Sequence, residues 1–311
     1  MVGINCFIFF DFLVGSGTQI VPLFFRKNCN MNLSEKVNQS LKVIKAASEN
    51  AINHNSDLEL CYSGGKDSDV LLRLTQMAQV PFRGIYKNTT IDPPKTIKHC
   101  IDNSIEIVQP TETFWQIVQR RGLPCRKKRI CCAFLKEYKI LDYALLGIRR
   151  EESSKRAKRY KEPEQCRVYR DGERTLQYYP ILQWTKDDVK EFITQEQIKL
   201  HPLYYNEEGQ LQVERRLGCI GCPISYYRRR IEELKKYPKI VKMYIQNAQI
   251  FLDTRPNSQR NNAFKNGYEY FLFNLRFERV SEYQEVIGDN NLFGQGLDAK
   301  KCLEDLLGMD L

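Results

Sequence analysis

The chain has 311 residues, 42% hydrophobic and 28% charged, the balance of a soluble globular protein rather than a disordered or membrane-spanning one. Lys and Arg number 48 against 38 for Asp and Glu, a formal charge of +10 that suits an anionic ligand, nucleotide or nucleic acid. With three histidines (His54, His99, His201), a histidine-rich metal site or a Ser/His/Asp triad has little support, and the 11 cysteines form no regular disulfide framework.

The first thirty residues stand apart. Ile4 to Val14 is apolar except for Asn5 and Asp11, is too short to span a membrane, and lacks the positive lead of a signal peptide. Residues 1–30 therefore read as an appendage or an over-extended start, with an apolar edge strand as the alternative. Residues 31–223 read as the functional domain and 224–311 as a helical C-terminal region. Asn32 to Ile52 has Leu33, Val37, Leu41, Ile44 and Ala47 on one helical face.

The stretch that follows organises the rest. Leu58, Leu60 and Tyr62 alternate with other residues as in a strand, and Val70, Leu71, Leu72, Leu74 and Met77 recur at helical spacing. Ser63-Gly64-Gly65-Lys66-Asp67-Ser68 therefore forms a strand-to-helix turn. Paired glycines let a ligand approach the backbone, and the unpaired amides and dipole of a helix start favour an anion. Lys66 adds a mobile positive charge. The turn is built to hold phosphate or a similar oxyanion; a plain Gly-Gly turn is the alternative. Its spacing is not that of a Walker A loop.

A second strand at Pro81–Tyr86 leads into the polar turn Lys87–Pro94, then a helix through Ile97 and Cys100 and a third strand, Ile105–Val108. This rhythm predicts a parallel sheet with helices on both faces and ligands at the carboxyl ends of the strands. Asn88 and Thr89 would then share a rim with the glycine turn, unless they serve only as turn residues. Phe114 to Gln119 begins a helix that breaks at Arg120–Pro124. Cys125-Arg126-Lys127-Lys128-Arg129-Ile130-Cys131-Cys132 crowds cations among thiols, which stabilises thiolates. A helix from Phe134 to Leu141 and a strand from Asp142 to Leu146 come next.

Gly147-Ile148-Arg149-Arg150-Glu151-Glu152-Ser153-Ser154-Lys155-Arg156 has the shape of an anion clamp, with Arg149 and Arg156 as forks and Ser153 as a hydroxyl donor. Lys158, Arg159 and Lys161 read as a solvated basic face. Cys166–Leu176 is a polar excursion with a hairpin turn at Asp171-Gly172. Thr185 is a helix N-cap with Asp188 as its acidic partner, a structural arrangement that includes Trp184. Cys219-Ile220-Gly221-Cys222 is a C-x-x-C open to zinc, redox or cluster chemistry. From Ser225 the chain is helical, with Tyr268, Phe271, Leu272 and Leu275 as core, a loop at Asp289–Gly296 and a terminal helix carrying Cys302.

Several of these motifs together resemble one family. Ser63, Gly64, Gly65, Asp67 and Ser68 match the SGGxDS pyrophosphate loop of ATP pyrophosphatases and the phosphoadenosine phosphosulfate (PAPS) reductase family. Gly147, Arg149, Glu152, Ser153 and Arg156 align with its G-x-R-x-x-[EQ]-S-x-x-R signature. Cys131-Cys132 followed by Cys219-x-x-Cys222 resembles the CC…CxxC of iron-sulfur adenylylsulfate reductases. The resemblance, over roughly Leu58 to Pro223, implies a Rossmann-like, adenine nucleotide alpha hydrolase-type PP-loop fold, an adenine nucleotide and sulfur chemistry.

In that reading Lys66 and Asp67 are catalytic, with Cys302 as a further candidate nucleophile and Mg2+ positioned by Asp67 if ATP is used, and Ser63–Ser68, Asn88, Thr89, Arg149, Ser153 and Arg156 bind the nucleotide. Cys131, Cys132, Cys219 and Cys222 hold a [4Fe–4S] cluster, with Cys125 as a substitute and zinc as the alternative metal. The leading expectation is a cytoplasmic enzyme acting on PAPS, adenylylsulfate or ATP, with a thiol reductant or sulfur donor and no membrane. ATP-dependent sulfur transfer to tRNA or DNA is the rival, and a non-catalytic cluster-bearing subunit with a partner is the third. Two departures bear on the choice. The complete SGGKDS is the form associated with splitting ATP to AMP and pyrophosphate. The late cysteine, Cys302, lacks the glycine and histidine that follow the reductases' nucleophile.

Overall fold

The computed structural model describes residues 31–169, 171–254, 263–287 and 298–311. Residues 1–30 and the Asp289–Gly296 loop lie outside the described residues. Leu33–Leu311 forms one unit by itself.

Helix α1 (Leu33–Asn53) precedes β1 (Leu58–Tyr62), α2 (Lys66–Ala78), β2 (Arg83–Lys87), α3 (Thr96–Asp102) and β3 (Glu106–Val108). Then come α4 (Phe114–Arg121), α5 (Ile130–Leu135), β4 (Tyr143–Leu146), α6 (Ser154–Arg159), β5 (Glu164–Val168), β6 (Arg174–Tyr178) and α7 (Lys186–Gln195). The C-terminal part is helical: α8 (Tyr227–Lys235), α9 (Pro238–Thr254), α10 (Gly267–Arg276), α11 (Val280–Ile287) and α12 (Ala299–Leu307).

The strands form one sheet in the order β3-β2-β1-β4-β6-β5. All pairs are parallel except the β5–β6 hairpin at one edge. This is the α/β, Rossmann-like sheet expected from the strand–helix rhythm. Two local readings change. The segment around Asp171-Gly172 forms a five-residue strand on each side, so the polar excursion is an edge hairpin. The helix expected over 134–141 runs instead from Ile130 to Leu135, which puts both adjacent cysteines in its first turn.

The central strand is buried on both faces, with Leu58 and Leu60 on one and Glu59 on the other, each at most 2% exposed, and each leucine contributes about 1.5–3 kcal/mol. Around it pack Ile44 and Ala47 of α1, Leu71 and Leu74 of α2, and Phe192 of α7. Trp184 donates its indole N–H to Ser40 Oγ (3.0 Å), which donates in turn to the Pro180 carbonyl (2.7 Å), locking α1 to the chain after β6. Thr185 caps α7 in a reciprocal box with Asp188, as its sequence predicts.

A second apolar cluster is built from α8, α9, α10 and α12. It also takes in Phe114, Ile117 and Val118 of α4 and Leu135 of α5, which arise between β3 and β4. The helical part of the molecule is thus assembled from two distant stretches of sequence.

Candidate functional site

Gly64 lies at φ +72, a left-handed conformation that glycine adopts at little cost, and it turns the chain from β1 into α2. Gly65 caps α2 with no side-chain bond to the first amides. Ser68 holds the turn closed: its hydroxyl donates to the Gly65 carbonyl (2.7 Å) and accepts from the Ser63 amide (3.3 Å). The result is a helix start with a backbone cradle at the carboxyl end of β1.

Charged side chains surround it. Lys66 is 5% exposed and its ammonium lies 3.2 Å from Asp67. Burial lowers the Lys66 pKa, Arg149 and Arg216 add to the effect, and Asp67 opposes it. Arg149 is 4% exposed and reaches Asp67 at 2.6 Å and Glu151 at 3.0 Å. Arg156 pairs with Glu152, which also takes Arg216 at 3.2 Å. Ser153 accepts from the Arg156 amide at 3.2 Å, so its hydroxyl caps α6. The structure therefore brings Lys66, Asp67 and Arg149 together at the loop, with both clamp arginines held by carboxylates.

The turn after β2 also lies at this rim. The Asn88 carbonyl oxygen accepts from the Thr90 amide (2.9 Å) and its amide donates to Gln109 (2.8 Å). Thr89 is 1% exposed and donates to Asp92 at 2.5 Å. It also lines the cavity of the four cysteines and accepts from Cys219 Sγ at 3.5 Å.

That cavity is lined by Cys131, Cys132, Cys219 and Cys222, with Lys136 at its wall. A hydrogen bond from the Cys131 thiol holds Cys132 below the ordinary thiol range; burial opposes this, and Lys136 and Arg129 assist. Burial pushes the Cys219 thiol up to about 11 against the pull of Lys136. The C-x-x-C backbone sits in a socket of helical residues: Tyr244 donates to the Ile220 carbonyl (2.9 Å), Arg230 to the Gly221 carbonyl (2.8 Å), and Glu233 accepts from the Gly221 amide (2.9 Å). Four thiols lining one cavity are a donor set that fits an iron-sulfur cluster. Among the described residues no three His, Cys, Asp or Glu side chains converge as closely as one metal ion requires.

Cys125 lies outside this set and lines a neighbouring groove with Arg126 and Tyr226. Cys302 packs in the helical cluster on α12, with the Arg276 guanidinium 3.8 Å from its sulfur.

The sequence reading missed a buried network behind the loop. Asp69, on the first turn of α2, accepts from the Tyr62 hydroxyl and contacts His99 Nε2 at 3.0 Å. His99 meets His201 edge to face, with ring centres 5.7 Å apart. Next to it, the Tyr204 hydroxyl accepts from the Lys66 amide at 3.1 Å. Asp69 carried the one available signal, a carboxylate among the apolar positions of α2; Tyr204, Arg230, Glu233 and Tyr244 carried none.

A glycine-rich turn at the carboxyl end of a central parallel strand, ringed by lysine and arginines, is the arrangement of an α/β protein of the PP-loop fold. The chain belongs to the phosphoadenosine phosphosulfate reductase domain family, which it matches over residues 57–225. Two uncharacterised proteins of Methanocaldococcus jannaschii are similar to it. MJ0973 is 27% identical over 237 residues, covering 71% of this chain and 54% of its own length. MJ0066 is 27% identical over 199 residues, covering 58% and 39%. The chain thus spans about half or less of the curated relatives it matches.

Among solved structures, PAPS reductase from Candida auris is 16% identical with a TM-score of 0.37, over 57% of this chain and 93% of that one. The U34-tRNA thiolase NcsA from Methanococcus maripaludis, solved with its [4Fe-4S] cluster, is 16% identical with a TM-score of 0.37, over 71% and 79%. No helix among the described residues is long and apolar enough to cross a membrane.

Proposed function

We propose that this chain is an adenine-nucleotide enzyme of sulfur chemistry that cleaves ATP to AMP and pyrophosphate and carries a [4Fe–4S] cluster beside the nucleotide site. The observation that carries this reading is the cradle itself: a complete Ser63–Ser68 loop at an α2 start with no side-chain cap, flanked by buried Lys66 and Arg149. In this reading the loop amides and Lys66 hold the pyrophosphate portion and offset the charge that grows on it as it leaves. Asp67, which Lys66 and Arg149 both contact, would hold Mg2+ if ATP is the substrate, and the ion would supply charge neutralisation at the phosphates. Arg156 and Arg216, both at Glu152, lie ready for the distal part of the substrate.

Cys131, Cys132, Cys219 and Cys222 would hold the cluster; when bound, it supplies a site for delivering or activating sulfur. The adjacent pair Cys131-Cys132, in place of a second C-x-x-C, favours the cluster over zinc. A nucleic acid is then one class of sulfur acceptor. The nine free cysteines among the described residues fit the reducing cytoplasm.

The family match supports a second reading, reductive release of sulfite from PAPS or adenylylsulfate by a thiol donor. Its difficulty is Cys302 on α12, whose thiol faces Arg276 of α10 rather than a loop residue. Anaerobically prepared protein incubated with ATP and, separately, with PAPS decides between them. Pyrophosphate release abolished by Lys66→Ala supports the first reading, and sulfite release lost in Cys302→Ser supports the second. Neither product, with nucleotide bound and cluster intact, points to a non-catalytic subunit that needs a partner.

A further inference from the structure

Segment 216–220 touches both turns of the rim and ends on the cysteine cavity. At one end, Leu217 Cδ2 lies 3.1 Å from where a Cβ on Gly64 would stand, and Arg216 pairs with Glu152 at 3.2 Å. At the other, the Ile220 amide donates to the Ile91 carbonyl (2.9 Å) and Cys219 Sγ to Thr89 (3.5 Å). Between the strap and the loop stands one buried hydroxyl. Tyr204 is 2% exposed, and its oxygen accepts from the Lys66 amide at 3.1 Å and from the Leu217 amide at 3.3 Å.

We infer that Tyr204 is a positioning residue that couples the nucleotide loop to the cysteine strap, acting as a stand-in acceptor that a bound phosphate displaces. This coupling rests on the proposed nucleotide site and goes beyond it. The Lys66 amide belongs to the first residue of α2, where a helix start offers its hydrogen to an anion. One N–H makes one strong bond, so a phosphate oxygen in the cradle and the Tyr204 oxygen compete for it. The anion wins because a charged acceptor forms the stronger bond. Released from the loop amide, the hydroxyl loses one of the two bonds that fix it, so Leu217, two residues before Cys219, is held less tightly. Nucleotide binding therefore loosens the strap that carries Cys219 and leads into Cys222.

Hydrogen exchange of the full-length protein, prepared anaerobically and read on peptides spanning residues 213–222, tests this without measuring activity. In the wild type, saturating ATP is expected to speed exchange at the Leu217 amide about fivefold, the weight of one ordinary hydrogen bond. In Tyr204→Phe exchange is already fast and ATP adds nothing, while ATP affinity measured by calorimetry rises because no internal acceptor competes. A tyrosine that merely fills space would leave the ATP response intact in the phenylalanine variant. Unchanged or slower Leu217 exchange in wild type that binds ATP overturns the coupling. Failure of the wild type to bind ATP overturns the nucleotide reading, and the coupling with it. Should Tyr204→Phe not fold, the wild-type response alone decides.

Discussion

Arg149 donates its Nε hydrogen to the Asp67 carboxylate across 2.6 Å, joining two motifs that lie 82 residues apart. Both side chains are largely buried, at 5% and 15% exposure, so neither charge is fully solvated without the other. Removing one partner of such a pair costs about 3–5 kcal/mol, because the remaining charge stays buried. Arg149→Met should therefore lower stability by about 3 kcal/mol in a urea titration and weaken ATP binding in calorimetry. Arg149→Lys, which keeps the charge but loses the fork, should recover part of the stability and little of the binding.

Gly147 makes the same junction from the backbone side. A Cβ at this position would stand 2.9 Å from the Asp67 carbonyl oxygen and 3.1 Å from its carbonyl carbon. Backbone atoms cannot swing aside, so Gly147→Ala must push β4 and the loop apart. The expected cost is about 1–3 kcal/mol, as for other overpacked sites, with reduced affinity for ATP. Wild-type melting and binding in this variant would show that the two segments do not press on each other.

His201 makes stability depend on pH. It is 1% exposed; burial lowers its pKa from 6.5 to about 4, and the nearby His99 reinforces the shift. Its Nδ1 accepts from the Leu203 amide at 3.2 Å, a bond available only to the neutral ring. The unfolded chain takes up the proton near pH 6.5 and the folded chain near 4. Stability is thus complete above about 6.5 and falls as pH drops toward 4, by about 3 kcal/mol in all. His201→Asn, which retains an acceptor but does not titrate, should flatten this part of the profile in melts between pH 4 and 7. A wild-type slope no steeper than that of the variant would count against the assignment.

The cysteines give a prediction about metal content. Anaerobic purification should yield about four iron and four sulfide per chain, with broad visible absorption that is lost on treatment with chelator and oxidant. Cys219→Ser should strip most of the iron, whereas Cys125→Ser should retain it because Cys125 lines a separate groove. Zinc without sulfide would sink the cluster reading.

The sheet and the loop were legible because each depends on local signals. Alternation over Leu58–Tyr62, two glycines and a helical run need no knowledge of the rest of the chain. The match of Thr185 to Asp188 as a capping box is legible for the same reason. What escaped depends on distance along the chain. Tyr204 reaches Lys66 across 138 positions, and His201 reaches Thr96 across 105. Arg230 and Tyr244 read as ordinary helix residues, yet both donate to carbonyls of the C-x-x-C. Composition argued against histidine chemistry, and nothing in the spacing of three histidines placed two of them edge to face behind the glycine loop. The extent of α5 was misplaced because its helix starts among cations and thiols that resemble a loop.

The shared packing of α4 and α5 with the C-terminal helices has a consequence for biosynthesis. Leu135 is the last of the early residues in that cluster, and its partners begin, apart from Ile220, at Ile231. At about 5–20 residues per second, translation leaves the early helices without most of their apolar neighbours for several seconds. During that interval Phe114, Ile117 and Val118 are uncovered while the strands of the sheet are still emerging. The wall of the four-cysteine cavity includes Tyr244, so it cannot close before α9 has been made.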